Sequence, residues 1–541
     1  MKRLILVLLV QVFFIHGFSQ PFRSSNLPII VINTSLNISI PDFKYEGNMR
    51  IVYNGEGVRN NLSDNNNHFV GKMALEIRGQ SSQQFPMKSY NLELRNDSSD
   101  EIDAPLLGMS AESDWVLYAP YTDKTLMRNF LAYTLSNEMG HWAPHCRYVE
   151  LVLNGDYVGI YLLVEKIKRS SGRLNLSNLN TDDNTGDQLT GGYIFSLDKS
   201  PVGWYSNYAV PNSTDGSKRQ YSFVYPKYNV ITTQQKLYIK SAVDKFENVA
   251  SSDYFEDPQL GLENYIDYSS FVDYYIMQEM SRNTDGYRFS SYFHKNKDSK
   301  NPKIIAGPVW DFDIAFRNAD YCNGSLSTGW ALDFNYDCAS PGSSGNPFFW
   351  YKLAREDSNF NNILYCHWES FRNKILSYSH LDHLIDSIAS LTEEARGRHF
   401  VKWPILGTYV WPNPQPIPAD YPGEIAQLKQ WMHERIDWLD DNFPQTGRCW
   451  PEASGGTLIA KVYPNPLSIN NTLKIYAKKS QVVYLQFFDG MGRLLYQNRK
   501  NVVEGENVFA NEVNTTKWTK GVYYLRCTSL TGETFTQKLI K

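Results

Sequence analysis

The sequence predicts an α+β chain with a β-rich front half, a helical rear half and a small β-sandwich at its end. Three observations predict it. Between about 27 and 168, apolar and polar residues alternate in short runs, the period of half-buried strands. From about 231 to 445, longer amphipathic stretches carry apolar residues at helical spacing. From 457 onward short alternating runs return, separated by turns such as Asp489-Gly490-Met491-Gly492, over a length that suits a small sandwich. A β-rich half followed by a helical half reads as a two-lobed layout.

In the front half, 74–78 and 88–94 alternate as strands around the turn Gly79 to Pro86. A helix is predicted over 125–139, with Asp123 near its start and Gly140 past its end. Residues 148–153 and 157–164 form a hairpin through Asn154-Gly155. The stretch 170–230 is rich in Asn, Asp, Ser, Thr and Gly and reads as insert structure, with strand-like 192–197 and 219–225 inside it. Helices follow over 234–250, 268–282, 348–355, 360–376, 381–398 and 422–442. Polar residues 446–456 read as a linker.

The net charge of −4 excludes a basic nucleic-acid footprint. Lys2 and Arg3 precede a run, Leu4 to Ile15, that is apolar apart from Gln11; with His16 to Gln20 this forms a signal peptide over 1–20. No later segment is long and apolar enough to cross a bilayer, so a soluble or surface-attached chain is expected after export. The six cysteines show no zinc spacing. In an exported chain, Cys322 with Cys338 is the natural local disulfide. His141 and His145 are spaced like helix metal ligands, but Pro144 interrupts the helix. Glu150 and Glu165 would suit a glycosidase pair, yet both fall in the hairpin pattern.

Two rear segments carry candidate metal and phosphate chemistry. One is Asn283-Thr284-Asp285-Gly286, after a helix; the other is Trp310-Asp311-Phe312-Asp313. In an extended chain Asp311 and Asp313 face one side, where two carboxylates repel unless a cation joins them. Mg²⁺ accepts one or two carboxylates and completes its shell with water and phosphate oxygens. In the front half, Lys88 follows the turn Arg78-Gly79-Gln80-Ser81-Ser82, where a lysine reaches phosphates that turn amides cradle. Each signal alone is also met in ordinary turns and strand ends.

Taken together, these stretches resemble the spore coat protein H (CotH) kinase family. The resemblance is carried in order by Arg78 to Ser82 with Phe85 to Tyr90, Ser113 to Pro120, Met127-Arg128-Asn129, Val149 to Gly155, Gly159 to Ile167, Asn283-Thr284-Asp285, Trp310 to Asp313 and Glu434 to Leu439. It covers about 28–443 and implies an atypical protein-kinase-like domain over 21–445: N-lobe about 27–168, insert about 170–230, C-lobe about 231–445. It implies ATP and Mg²⁺ (or Mn²⁺) as cofactors and an unidentified protein acceptor. Lys88 would contact the α and β phosphates, with Arg78, Ser81 and Ser82 beside it and Glu165 near the hinge. Asp285 would be the base or orienter of the acceptor hydroxyl, and Asp311 with Asp313 would hold the metal.

There are departures from ordinary kinases: no G-x-G-x-x-G-x-V loop, no V-A-I-K, no H-R-D-L-x-x-x-N, and Asp-Phe-Asp in place of Asp-Phe-Gly. The helix glutamate that pairs with the lysine has only Glu138 as a candidate. A kinase-like binding or adhesion module without turnover is therefore the alternative. The last 85 residues, 457–541, resemble the type A C-terminal sorting domain of type IX secretion. The resemblance rests on Lys461 to Pro466, Phe488 to Gly492, Lys520 to Arg526 and Lys538 to Lys541. It implies handling by the type IX machinery and a secreted or cell-surface bacterial protein.

Overall fold

A computed structural model describes residues 22–34, 43–65, 67–200, 202–257, 259–338, 341–445, 449, 458–468, 470–477, 479–530, 532 and 534–541. The expected signal peptide lies outside these residues, as does the linker apart from Cys449. The chain divides into two compact units, 1–446 and 447–541.

The first unit opens with seven strands: β1 Ile29–Thr34, β2 Tyr45–Val52, β3 Asn67–Arg78, β4 Ser89–Arg95, β5 Asp114–Tyr118, β6 Cys146–Leu153 and β7 Asp156–Glu165. They close into a barrel in the order β1-β2-β3-β4-β5-β7-β6. Closure comes from β1 lying parallel to β6, Ile29 to Ile32 against Glu150 to Leu153. A closed barrel has no exposed sheet edge to cover. The predicted Asn154-Gly155 hairpin is present, with both residues at the positive φ (52° and 86°) that this turn requires.

Side-chain alternation divides the strand residues between two cores. Leu92, Leu94, Leu117, Tyr161 and Leu163 fill the barrel. Val116, Ile160, Leu162 and Val164 point outward into the larger core shared with the helices. On that outer side packs α1, Arg128–Glu138, a turn shorter than predicted. Asp123 caps it, accepting from the Thr125 and Arg128 N–H groups at 3.1 and 2.8 Å.

The expected insert is less separate than its composition implies. Its strands β8 Tyr193–Leu197, β9 Trp204–Ala209 and β10 Lys218–Tyr225 join β11 Ser291–Lys295 and β12 Ile304–Ala306 in one sheet, ordered β9-β10-β8-β11-β12. The longer helices are α2 Thr233–Ala250, α3 Tyr268–Ser281, α4 Phe348–Glu356, α5 Ser358–Arg372, α6 Tyr378–Leu391, α7 Glu393–Lys402 and α8 Tyr421–Asn442. The single helix predicted over 381–398 is two, α6 and α7. A capping box between Thr232 and Gln235 starts α2. Apart from Ser269, every residue of α3 is buried, the pattern of a core helix. Arg282 ends it in the left-handed region, φ 43°. Cys322 and Cys338 are disulfide-bonded, with Cα atoms 5.1 Å apart.

The second unit has a three-stranded sheet (Leu458–Tyr463, Thr472–Ala477, Gly505–Ala510) and a four-stranded sheet (Leu494–Val502, Gln481–Asp489, Val522–Ser529, Thr534–Ile540). Leu473 and Ile475 of the first sheet share a core with Leu485, Phe487 and Leu525 of the second, as in a sandwich. Among the described residues no helix is long and apolar enough to cross a membrane.

Candidate functional site

The site is a cavity of about 510 Å³ between the open end of the β3–β4 turn, α1 and the loops that follow α3 and β12. That volume lies in the range of small-molecule sites.

The β3–β4 turn forms one wall. Arg78, Gly79, Gln80, Ser81 and Ser82 all line the cavity. Gly79 has φ 95°, and a Cβ there would lie 2.0 Å from Ser82 Oγ, so only glycine fits. The Arg78 guanidinium lies 5.2 Å from the Trp310 ring centroid, and Trp310 also lines the cavity.

Lys88 is not on this wall. Met87 and Ser89 line the cavity, and Lys88, in the turn just before β4, does not. Its ammonium donates to the Gln83 and Phe85 carbonyls at 2.5 and 2.6 Å, so it braces the turn from outside. Glu165 departs from expectation in the same way. Val164 lines the cavity, while Glu165 is fully buried on the other side, accepting from the His145 backbone N–H at 3.0 Å and bonding to its Nδ1 at 2.8 Å. Glu138 pairs with His380 at 2.8 Å, away from the site. The other carboxylates and histidines weighed from the sequence have structural partners too. Glu150 binds Arg398 at 2.5 Å, and His141 binds Asp273 at 2.6 Å.

The opposite wall carries the aspartates. Asp285, Asp311 and Asp313 all line the cavity. Asp285 lies in the loop after α3, its backbone N–H on Asn283 Oδ1 (3.1 Å) and its carboxylate on Arg288 (2.7 Å). The loop is tight: a Cβ on Gly286 would lie 2.5 Å from Gln278 Oε1. Beneath it, Glu279 and Arg435 form a fully buried ion pair at 3.1 Å. Glu279 also accepts from the Ala331 and Leu332 N–H groups and from Tyr287.

Asp311 and Asp313 reach the cavity by a different route from the extended chain predicted. Asp311 has φ 66°, in the left-handed region, and the segment belongs to no strand. Neighbours hold this conformation. Tyr133 Oη accepts from the Asp311 N–H (3.4 Å), and Asn129 Oδ1 from the Phe312 N–H (2.6 Å). Arg128 Nε donates to the Ala315 carbonyl (3.1 Å), and Asn318 Nδ2 to the Asp313 carbonyl (2.7 Å). The Phe312 side chain anchors the segment in the core. The Met127-Arg128-Asn129 motif thus acts as the clamp on the acidic segment.

Burial pushes the Asp311 carboxyl up to about 6; Arg78 opposes that rise, and Asp285 and Asp198 add to it. Burial, then Asp311, pushes Asp313 well above the usual carboxylate range. Two mutually repelling carboxylates on a cavity wall make a fitting pair of ligands for a divalent cation. Among the described residues no set of three or more His, Cys, Asp or Glu side chains forms a metal cage, so a cation here would take the rest of its shell from elsewhere.

Sequence reasoning missed Asp198, Lys199, Arg288 and Phe289, all on the cavity wall. It also missed Tyr321 and Trp411, whose stacked rings stand at its edge with centroids 6.2 Å apart. Asp198 directly follows a strand that the alternation revealed. Its pairing with the chain near 290, which puts it in the site, left no local signal.

Comparison with known families agrees with this arrangement. The model of the family described as CotH kinase protein matches residues 75–439, that is 365 of the 541 residues. That described as secretion system C-terminal sorting domain matches 461–541. No curated protein matches the chain. The sorting domain marks bacterial type IX export, to the cell surface or the medium. With two thirds of its length matched, cavity included, the chain belongs to the CotH kinase protein family.

Proposed function

We propose that this exported protein is an atypical kinase that transfers the terminal phosphoryl group of ATP to a hydroxyl of a protein acceptor. In this reading the barrel half and the helical half are the two lobes of a kinase-like domain, and the cavity is the cleft between them. The observation that carries it is the convergence of Arg78 and the 79–82 turn with Asp285, Asp311 and Asp313 on one cavity.

Phosphoryl transfer needs positioning and charge neutralisation more than covalent help. Arg78 and the turn amides would hold the phosphates. Asp311 and Asp313 would hold Mg²⁺ or Mn²⁺, which when bound offsets the charge on the phosphate oxygens. Asp285 would orient the acceptor hydroxyl and take its proton. As the acceptor oxygen bonds to the terminal phosphorus, the bond from that phosphorus to the bridging oxygen breaks and ADP leaves. The tail, 457–541, would serve as the export tag.

The test is transfer of labelled phosphate from ATP to general protein substrates with Mg²⁺ or Mn²⁺. Activity lost in Asp285→Asn, with the fold intact, is the expected result. No transfer and no autophosphorylation by folded wild type would refute turnover. The placement of Lys88 favours one further reading, a binding or adhesion module without turnover, because the lysine expected at the phosphates does not line the cavity. Partner binding that survives Asp311→Ala and needs no nucleotide would support it.

A further inference from the structure

Four residues past Asp285, Phe289 lies on the cavity wall. Three cations surround its ring. Lys199 Nζ is 4.5 Å from the centroid, Arg288 Cζ 4.6 Å and Arg219 Cζ 5.0 Å. They come from three places in the chain: the loop after β8, strand β10 and the loop after α3. The cluster is therefore a product of the tertiary fold and not of one basic run.

Their charges are unevenly answered. Arg288 is paired with Asp285 at 2.7 Å. Arg219 is 4% exposed; two of its nitrogens donate to the Ser343 and Arg288 carbonyls, while its Nε is buried with no hydrogen-bond partner. Neither Arg219 nor Lys199 has a carboxylate within salt-bridge distance among the described residues. Lys199 is exposed, with its ammonium over the ring at the cavity mouth. A buried guanidinium answered only at longer range, by Asp198 and Asp285, is costly, and a second cation beside it raises the cost. An anion docking against Phe289 would relieve both.

We infer that this cluster selects an acidic acceptor: the hydroxyl brought to Asp285 lies in a peptide segment with carboxylate side chains, drawn in by Lys199 with Arg219 and Arg288 behind it. The inference rests on the assignment of Asp285 to the acceptor side. The phosphate end of the cavity is served by Arg78 and the 79–82 turn, and it adjoins the cluster: Gln80 of that turn donates to the Lys199 carbonyl at 2.9 Å. Charge complementarity at a rim acts mainly through specificity and encounter rate, and it weakens with salt.

The test is fluorescence anisotropy with the full chain, without nucleotide, using a labelled peptide in which serine is flanked by glutamates and a matched one flanked by lysines. The acidic peptide should bind about ten-fold tighter or better, an advantage that shrinks from 50 to 200 mM salt, both figures set by ordinary rim electrostatics. Lys199→Glu should abolish or reverse the preference, and Lys199→Arg should keep it. Equal binding of the two peptides overturns the inference. So does a Lys199→Glu variant that loses the ATP response and keeps the peptide preference, since the cluster would then belong to the nucleotide phosphates. Acidic-peptide binding without phosphate transfer supports the inference and counts against the kinase. Transfer to acidic and basic peptides alike supports the kinase and overturns the inference.

Discussion

The Phe312 N–H donates to Asn129 Oδ1 at 2.6 Å, tying α1 to the chain between the two aspartates assigned to the metal. Both residues are buried. Asn129→Ala leaves that N–H unpaired, at a cost of about 1–3 kcal/mol. It should also loosen Asp311 and Asp313. A lower urea midpoint together with roughly ten-fold weaker binding of Mg²⁺–ATP is expected. Wild-type values for both would show that α1 does not position the acidic segment.

The buried pair Glu279–Arg435 ties α8 to the end of α3, just before the Asp285 loop. Arg435→Met strands the carboxylate in the core and should cost roughly 3–5 kcal/mol. Adding Glu279→Met should recover part of that loss. Denaturant unfolding of the single and double variants checks this, and a double variant no better than the single one would contradict it.

Arg78 and Lys88 separate the observed site from the expected one. Arg78→Ala should weaken nucleotide binding by about ten-fold or more, the scale of a lost charge-assisted contact. Lys88→Met should change it less, because the Lys88 ammonium is engaged by the Gln83 and Phe85 carbonyls outside the cavity. Calorimetric titration of both variants decides, and the reverse order would restore Lys88 to the phosphates.

Two buried histidines should oppose folding in acid. Burial lowers His399 to about 3 and His294 to about 4. In the unfolded chain both take up protons near pH 6.5. Between pH 6.5 and about 4 the unfolded state therefore holds more protons, and stability falls as pH falls, by about 1.4 kcal/mol per pH unit for each fully shifted group. His141 acts in the opposite sense. Burial lowers it, but Asp273 overrides that and leaves it raised, so its contribution is present at low pH and lost as pH rises through its folded value. Burial also raises the Glu247 carboxyl to about 7 and Asp311 to about 6, and these groups act with His141, so the contribution of His399 is read as a difference between variants. On going from pH 7 to pH 5, His399→Gln should lose less stability, or gain more, than wild type, and an equal change in Tm would refute the assignment.

Much of the site was legible in the sequence, and what was not has a common cause. Lys88 and Glu165 each sit one residue from a lining residue, Ser89 and Val164; a strand sends Glu165 to the opposite face from Val164, and the turn carbonyls of Gln83 and Phe85 hold Lys88. Motif order locates a strand at a site without giving its parity. Asp311 and Asp313 line the cavity, but by another backbone route than the extended chain expected. The sequence holds no mark of the left-handed turn at Asp311, which depends on Tyr133, Asn129 and Arg128 from a distant helix. Two of the three strands within 170–230 were visible as strands and Trp204–Ala209 was not, and the pairing of β8 with β11 spans about a hundred residues and brings Asp198 and Lys199 to the cavity. The strands on either side of the 79–86 turn and the Asn154-Gly155 hairpin were the most legible, because alternation and an Asn-Gly turn are local signals, whereas closure of the barrel by β1 against β6 is not.

Thermal unfolding with and without ATP and Mg²⁺, for wild type and Asp311→Ala, tests the central claim most directly. The account predicts a rise in wild-type Tm that needs nucleotide and cation together and disappears in Asp311→Ala. A wild-type chain that ignores both, or an Asp311→Ala variant stabilised as fully as wild type, would contradict it.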